Sequence, residues 1–416
     1  MNWRQVLPWA LYDWANSGYA ATVLAAFFPI FFKDFWNPPG TKETVSDFRL
    51  TAAISTAGVI VALLAPALGA IADRGSARKK FLGVFATLGI LATGTLHFIP
   101  AGQWQIAMLV YGFSLVGFSG ANIFYDSLLV NVAEEKRLDL ASAIGYALGY
   151  VGGGILLLLN VSMSINPERF GFSSSSQAVL TSFLLVSVWW AVFSIPLFLF
   201  VREPKKTAES VSPWRAVRGG FRQLSETFRE IRSIRVVFIF LCAYWLYIDG
   251  VDTIINVATA YGKSLGFTMK QLIQALLITQ FIGLPSAIAF GFIGQKIGAR
   301  TGIFIALAVY FGVTVYGYFM DSPREFFVLA TVIGLVQGGV QSLSRSLYAR
   351  LIPKDKSGEF FGFYNMLGKF AAILGPALYG FVGLWTGNPR LAIFAIAILF
   401  VAGGVLLSFV REPERA

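Results

Sequence analysis

The chain has 416 residues, of which 56% are hydrophobic and only 13% are charged. Soluble domains carry roughly a quarter charged residues, so this composition excludes a disordered chain, a collagenous repeat and an ordinary cytosolic enzyme. A single cysteine, Cys242, excludes an internal disulfide framework. With only one histidine, His97, we expect neither a metal site nor a serine–histidine triad. The sequence has no P-loop motif either, so we expect no cofactor.

Twelve apolar segments, separated by Pro, Gly and charged residues, are long enough to cross a hydrocarbon core, which takes about 20 apolar residues. The segments in the first half of the chain are about 8–33, 50–72, 81–99, 104–132, 138–162 and 178–201. Those in the second half are about 234–261, 269–292, 301–320, 325–349, 358–384 and 391–410. The sequence therefore predicts an all-α, multi-pass integral membrane protein within a lipid bilayer.

The formal net charge of +11 would suggest a nucleic-acid partner if the protein were soluble. An even number of spans places both termini on one side, and 23 of the 33 Lys and Arg residues fall on that side, against eight on the other. Cytoplasmic loops of membrane proteins carry such an excess. We therefore expect both termini in the cytoplasm, a bacterial inner (plasma) membrane location and no nucleic-acid partner.

The two halves of the chain repeat each other. Phe200-Val-Arg-Glu-Pro204 closes the sixth span and Phe409-Val-Arg-Glu-Pro413 closes the twelfth. Trp9-x3-Asp13-x2-Asn16 in the first span is similar to Trp245-x3-Asp249-x2-Asp252 in the seventh. Paired repeats are typical of secondary transporters. We expect an N-terminal six-helix bundle (1–201), a cytoplasmic linker (202–233) with an amphipathic stretch around 220–231, and a C-terminal six-helix bundle (234–416).

The segment Gly69-Ala-Ile-Ala-Asp-Arg-Gly-Ser-Ala-Arg-Lys-Lys80 resembles the signature loop of the major facilitator superfamily, although its glycine comes one residue early. A second copy, from Gly291 to Arg300, has Gln295 in place of the acid. The resemblance implies the major facilitator fold, with two pseudo-symmetric six-helix bundles. It also implies a conformational gate that holds the cytoplasmic side shut. The gate residues are Asp73, Arg74, Arg78, Lys296 and Arg300.

A narrower resemblance lies in Leu11-Tyr-Asp-Trp-Ala-Asn-Ser-Gly-Tyr-Ala20, followed by Ala26-Phe-Phe-Pro-Ile-Phe-Phe32. These segments are similar to the opening of the vacuole effluxer-like family, whose fungal member is associated with amino-acid export from vacuoles. The resemblance implies an amino-acid effluxer.

Polar residues within the spans identify a candidate substrate site, because each ionisable group there costs about 2.5–3.5 kcal/mol on insertion and usually faces a cavity or a partner. Many of them share helix faces at spacings of three or four residues. The predicted substrate-binding residues are Tyr12, Asn16, Asn122, Tyr125, Asp126, Tyr146, Asn256, Gln341, Arg345, Asn365 and Lys369.

A shift of 219 residues superposes Asp126 on Arg345, so matching positions carry opposite charges. One interpretation is a cavity for a zwitterion, whose ammonium binds Asp126 or Asp13 and whose carboxylate binds Arg345. The other is a structural gate pair near the cytoplasmic ends of two helices. Asp13, Asp249 and Asp252 are candidates for proton coupling. For Asp13 a solvated helix end is the alternative. For the other two, sodium or substrate contact and a silent hydrogen-bonded role remain open.

Together these observations predict a non-enzymatic secondary transporter of a small polar or zwitterionic solute, coupled to a proton or ion. Amino-acid export is the activity that the family resemblance favours. An amphiphilic or lipid-like cargo and a non-transporting membrane sensor or scaffold are the alternatives. We expect the protein to be a monomer.

Overall fold

The computed structural model describes residues 1–203, 220–370 and 374–412, and their regular secondary structure is entirely helical. The first half contains α1 (Trp3–Trp36, π-helical over Tyr19–Phe27 and Phe32–Trp36), α2 (Glu43–Gly75), α3 (Arg78–Thr95), α4 (Trp104–Ser127), α5 (Leu138–Ile165) and α6 (Ser175–Phe200). Short helical turns occupy Leu96–Phe98, Leu129–Val132, Glu135–Arg137 and Pro167–Phe170.

The second half begins after α7 (Gly220–Ser233), which forms where the amphipathic stretch of the linker was expected. It contains α8 (Arg235–Ser264), α9 (Met269–Ile297), α10 (Ala299–Phe319), α11 (Pro323–Leu351), α12 (Ser357–Phe370), α13 (Leu374–Thr386), α14 (Pro389–Ala395) and α15 (Ala397–Ser408), with a helical turn at Lys354–Lys356.

Within these described ranges, 11 helical segments are long and apolar enough to cross a membrane. They coincide with 11 of the twelve expected spans. The remaining expected span, 358–384, corresponds to α12 and α13 on either side of residues 371–373. The predicted all-α, multi-pass membrane architecture is confirmed.

The halves meet along two lines: α5 packs against α9 and α11, and α2 packs against α12. Small residues allow this, because helices without side-chain bulk approach each other closely in membranes. At Gly69 of α2, an added Cβ would lie 2.4 Å from the carbonyl oxygen of Gly358. At Gly291 of α9, it would lie 2.6 Å from the Cβ of Ala143 in α5. Where the halves meet, Gly69 thus packs against backbone and Gly291 packs against a small side chain.

One end of the molecule, which we call the basic end, gathers the segments 73–79, 131–137, 201–203, 296–300, 350–357 and 410–412. The backbone N–H of Arg202 donates to Gln5 Oε1 at 3.3 Å, which brings the start of α1 to the end of α6. The ammonium of Lys354 lies 3.3 Å from Glu135 Oε2 across the halves. At the same end α7 contacts the second half, because the ammonium of Lys356 donates to Glu230 Oε1 at 2.5 Å.

The repeated Phe-Val-Arg-Glu-Pro segment supplies a helix cap in each half. Glu203 accepts hydrogen bonds from the backbone N–H groups of Arg78 and Lys79, at 2.9 and 3.2 Å, at the start of α3. Glu412 does the same for Ala299 and Arg300, at 3.3 and 3.2 Å, at the start of α10. A carboxylate at a helix N-terminus satisfies unpaired N–H groups and the positive end of the helix dipole.

The two signature loops place their unusual backbone conformations differently. In the first copy the left-handed residue is Ser76, with φ 46°, one position after the glycine that comes early in the sequence motif. In the second copy it is Gly298, with φ 96° and ψ 143°. Only glycine adopts the latter conformation readily.

We predict that Gly298→Ala lowers the free energy of unfolding by about 1–3 kcal/mol, the usual cost of a residue held in such a conformation. The added Cβ would also lie 2.8 Å from Glu412 Oε2 and disturb the cap of α10. Thermal unfolding of the detergent-solubilised protein measures the change. Gly75→Ala is the control, because its Cβ has only ordinary contact, 3.8 Å from Ala77 Cβ. Equal midpoints for the two variants would contradict this explanation.

Candidate functional site

Arg345, from α11 in the second half, is the centre of the polar cluster between the halves. Its side chain is 2% exposed. Its Nη1 atom lies 3.0 Å from Asp126 Oδ1 and 3.3 Å from Asp13 Oδ2. Its Nε donates to the hydroxyl of Ser142 and its Nη2 to the backbone carbonyl of Ser142, both at 2.9 Å. A guanidinium with several donors in one plane suits such a set of acceptors.

Asp13 is held in place from its own half. The Tyr125 hydroxyl donates to Asp13 Oδ2 at 2.7 Å. The Tyr125 ring stacks on Trp9, with centroids 4.6 Å apart, and Trp9 Nε1 donates to the carbonyl of Tyr125 at 3.0 Å. Trp9 and Asp13 share a face of α1 because they are four residues apart. Tyr12 packs against the same tyrosine ring at 5.0 Å.

Asp126 bridges the halves a second time. Its Oδ2 accepts a hydrogen bond from Asn365 Nδ2 of α12 at 3.0 Å, while its Oδ1 contacts Arg345. Two carboxylates therefore share one guanidinium, which leaves one net negative charge on the cluster when both are ionised. Removing one partner from a buried ion pair typically costs about 3–5 kcal/mol, because the other charge stays buried.

Gly145 of α5 makes room for this cluster. A Cβ at this position would lie 2.7 Å from Asp13 Oδ2, 2.9 Å from Arg345 Nη2 and 3.0 Å from the Tyr125 hydroxyl. Nothing in the sequence pattern marked Gly145 or Ser142 as functional, because neither is charged and α5 contains many small residues.

Of the remaining predicted substrate-binding residues, one contacts Arg345 and three others form hydrogen bonds elsewhere. The Tyr146 ring faces Arg345, with the guanidinium carbon 4.3 Å from its centroid. Asn16 donates to Asn122 at 2.6 Å within the first half. Gln341 accepts from the Tyr150 hydroxyl at 3.3 Å across the halves. The side chains of Asn256 and Lys369 lie outside the described residues.

Asp249 of α8 is fully buried and binds backbone. Its two carboxylate oxygens accept hydrogen bonds from the N–H groups of Leu374 and Gly375, both at 2.9 Å, at the start of α13. It therefore caps a helix, although its sequence counterpart Asp13 contacts Arg345. Asp252 lies one turn further along α8 and is half-buried. Proton coupling by either residue stays a prediction.

Asp73 and Arg78, two of the predicted gate residues, lie at the contact between the halves. Asp73 Oδ1 and Oδ2 accept from the backbone N–H groups of Gly358 and Glu359 at 2.9 Å, at the start of α12. Arg78 Nε lies 2.6 Å from Asp73. In the second copy, Gln295 donates to the carbonyl of Lys136 at 3.4 Å, so an amide replaces the carboxylate.

Among the described residues, the other three predicted gate residues form no hydrogen bond or ion pair between the halves. Arg74 and Lys296 are exposed. Arg300 binds within its own half, where it donates to the carbonyls of Leu407 and Ser408 at 3.2 and 2.5 Å.

Sequence reasoning missed a second buried ion pair at the basic end. Arg350 Nη2 of α11 lies 2.6 Å from Asp139 Oδ2 of α5, and its Nη1 lies 3.2 Å from Glu412. Ser346 also donates to Asp139 at 2.5 Å. These residues lie at the ends of the spans, where a charged side chain is ordinary because the polar loops begin there. Their 219-residue counterparts, Gly358 and Asn131, carry no charge that would have marked them.

Comparisons with known proteins show the family of the chain. Residues 39–138 and 130–415 match the family described as "Vacuole effluxer Atg22 like". The chain is 40% identical over 411 residues to the uncharacterized MFS-type transporter YxiO of Bacillus subtilis (strain 168), covering 98% of this chain and 95% of YxiO. It is 24% identical to autophagy-related protein 22 of Yarrowia lipolytica, covering 83% of this chain and 72% of that protein.

Solved structures give the same fold. The human organic anion transporter MFSD10 (TETRAN) superposes with a TM-score of 0.74 at 15% identity, covering 97% of this chain and 99% of that one. The proton:xylose symporter XylE superposes with a TM-score of 0.70 at 12% identity, covering 99% and 95%. The fold is thus that of a major facilitator superfamily transporter, and the described residues contribute 11 helical segments long and apolar enough to cross a membrane. Within that superfamily, the chain belongs to the vacuole effluxer Atg22-like family.

We predict that Gly145→Ala lowers the free energy of unfolding by about 1–3 kcal/mol, as overpacking of a filled site does. The added methyl group would push Asp13 away from Arg345 and loosen the contact between the halves. Thermal unfolding in detergent measures this loss. The matched control is Gly112→Ala in α4, where an added Cβ meets no heavy atom within 4 Å. A stable Gly145→Ala protein would show that the cluster is less tightly packed than its distances indicate.

Proposed function

We propose that the protein is a secondary active transporter of a small polar, amino-acid-like solute, working by alternating access of the segments 1–201 and 234–416. The observation that carries this proposal is the Arg345 cluster. The guanidinium comes from the second half, whereas Asp13 and Asp126 come from the first. A buried ion pair that spans two rocking bodies forms when they close and breaks when they part. Closure of the basic end thus depends on whether Arg345, Asp13 and Asp126 bind one another or bind other charged groups.

Asp73 supports the same proposal at the rim of the basic end. Its carboxylate in α2 caps α12 of the other half. Such a contact is lost when α2 and α12 separate and is remade when they return. Asp73 and Arg78 are therefore proposed as gate residues, and the Arg350–Asp139 pair as a second latch beside them.

A proton is the proposed coupling ion. The cluster of one guanidinium and two carboxylates keeps one net negative charge when both acids are ionised, and a single proton on one acid neutralises it. We assign this proton to Asp13, whose side chain is 13% exposed, rather than to Asp249, whose oxygens are both occupied by the N-terminus of α13.

A test of this function uses purified protein in proteoliposomes with a panel of amino acids. We expect uptake or efflux driven by an imposed pH gradient in the wild type. Asp13→Asn should lose gradient-driven accumulation by on the order of tenfold or more, while exchange of solute across the membrane without a gradient persists. Gradient-driven transport by Asp13→Asn at the wild-type rate would refute the coupling assignment. Absence of transport of every solute would favour the sensor or scaffold function.

Orientation is proposed from loop charge. In the predicted topology, 23 of the 33 Lys and Arg residues fall on the side of the basic end, so this end should face the cytoplasm of a bacterial cell. The relative in Bacillus subtilis supports a plasma-membrane location. Arg74 at the basic end and Ser173 at the opposite end are both exposed and offer matched positions.

In a Cys242→Ser background, a cysteine at position 173 should react with a membrane-impermeant maleimide in intact cells. A cysteine at position 74 should react only after the cells are opened. Labelling of intact cells in the reverse pattern would invert the proposed topology.

A second candidate cargo, an amphiphile, is favoured by one feature. An apolar groove of about 630 Å³ opens between α2 and α4, lined by residues that include Phe48, Ile60 and Phe113. The guanidinium carbon of Arg49 lies 3.6 Å from the centroid of the Trp104 ring beside it. Lysophospholipid belongs in the transport panel for this reason, and transport of it alone would favour this cargo.

A further inference from the structure

Arg345 belongs to the second half, yet among the described residues every polar contact of its guanidinium is made with the first half. The acceptors are the carboxylates of Asp13 and Asp126 and the hydroxyl and carbonyl oxygens of Ser142. They come from α1, α4 and α5. The second half therefore supplies a cation, and the first half supplies the site that receives it.

Aromatic rings complete that site, and they too come only from the first half. The guanidinium carbon lies 4.3 Å from the ring centroid of Tyr146, 5.0 Å from that of Trp9 and 5.4 Å from that of Tyr125. Ring faces carry partial negative charge and attract cations within about 6 Å. Two carboxylates, two neutral oxygen acceptors and three rings form a receptor for an organic cation. We call this set of residues (Trp9, Asp13, Tyr125, Asp126, Ser142 and Tyr146) the cation cradle.

Contacts within the first half hold much of the cradle together without Arg345. The Tyr125 hydroxyl donates to Asp13, and Trp9 both stacks on Tyr125 and donates to its carbonyl oxygen. Gly145 keeps the backbone of α5 close to these groups. The part of the cradle formed by Trp9, Asp13 and Tyr125 is therefore held by the first half alone, whereas Asp126 also accepts from Asn365 of the second half.

Separation of the halves takes Arg345 out of the cradle and leaves Asp13 and Asp126 close together. One carboxylate charge is then uncompensated when Asp13 carries the proton proposed above, and two are when it does not, and either is costly in a partly buried site. Opening therefore depends on a replacement cation. This step rests on the alternating access proposed above.

We propose that the cation cradle binds a cationic group of the cargo, a guanidinium or a primary ammonium, and that Arg345 is its built-in occupant when the basic end is closed. The cargo class is a basic amino acid or a related organic cation. A guanidinium fits better than an ammonium, because a planar fork reaches Ser142 and Asp126 with separate donors, as Arg345 does. A cargo cation exchanges with Arg345 one for one, so the charge of the cradle is the same in both states.

Binding to the cradle can be tested without transport. Arg345→Ala leaves the acceptors in place and removes their occupant. We expect methylguanidinium, at millimolar concentration, to raise the thermal midpoint of purified Arg345→Ala by at least about 2–4 °C relative to methylurea, its neutral analogue. The wild type should respond equally to both compounds. Asp126→Asn in the Arg345→Ala background should abolish the difference.

Arg78→Ala is the control for a general effect of guanidinium on vacated arginine sites, because Arg78 is also buried and also contacts a carboxylate. Equal stabilisation of Arg345→Ala by methylurea, or the same response in Arg78→Ala, would overturn the proposal.

Exchange in wild-type proteoliposomes provides the second measurement and remains decisive if Arg345→Ala does not fold. L-arginine and L-citrulline differ chiefly in the charge of the side-chain terminus. We expect arginine to exchange at least about tenfold faster at low concentration, which corresponds to about 1.4 kcal/mol of preference. Exchange of citrulline or leucine without arginine would leave the transporter function standing and refute the cationic cargo. No exchange of any solute, with methylguanidinium still stabilising Arg345→Ala, would refute the transporter function and leave the cradle as a binding site.

Discussion

A positive charge buried between the two halves of the chain must be neutralised there, and this constraint organises the centre of the protein. Arg345 meets it by sharing Asp13 and Asp126 across the line between the halves. In the proposed function, transport and closure of the basic end therefore depend on the same atoms. The two interpretations of the Asp126–Arg345 pair, a substrate site and a gate, need not compete, because one set of contacts can serve both.

The surroundings of this ion pair are built to bring backbone and charge close together. Glycines at 69, 145 and 291 let helices of the two halves approach where side chains would intervene. At the basic end, carboxylates repeatedly cap helix N-termini: Asp73 caps α12, while Glu203 and Glu412 cap α3 and α10. The first of these contacts crosses between the halves, whereas the other two lie within one half. The pattern thus fixes helices within each half and links α2 of the first half to α12 of the second.

Hydropathy was sufficient to predict the spans and the membrane class, because a 20-residue apolar run has few other uses in a folded protein. The internal repeat also located the central charges, since matching positions of opposite sign pointed to Asp126 and Arg345. Roles that depend on neutral atoms could not be predicted this way. Ser142 accepts a hydrogen bond at its backbone carbonyl, and Gly145 leaves space for the cluster because it has no side chain. Asp249 shows a further limit: its sequence matches that of Asp13, but its partners are N–H groups at the start of α13, which nothing in the hydropathy marks.

The central claim is that the Arg345 cluster holds the basic end closed, and a distance across that end tests it most directly. Arg137 of the first half and Lys296 of the second are exposed and close to the contact between Gln295 and Lys136. Spin labels at these two positions, in a Cys242→Ser background, report their separation by pulsed electron resonance. We predict one short distance for this background protein and a new, longer population when Arg345 is replaced by alanine. An unchanged distribution in that variant would contradict the account.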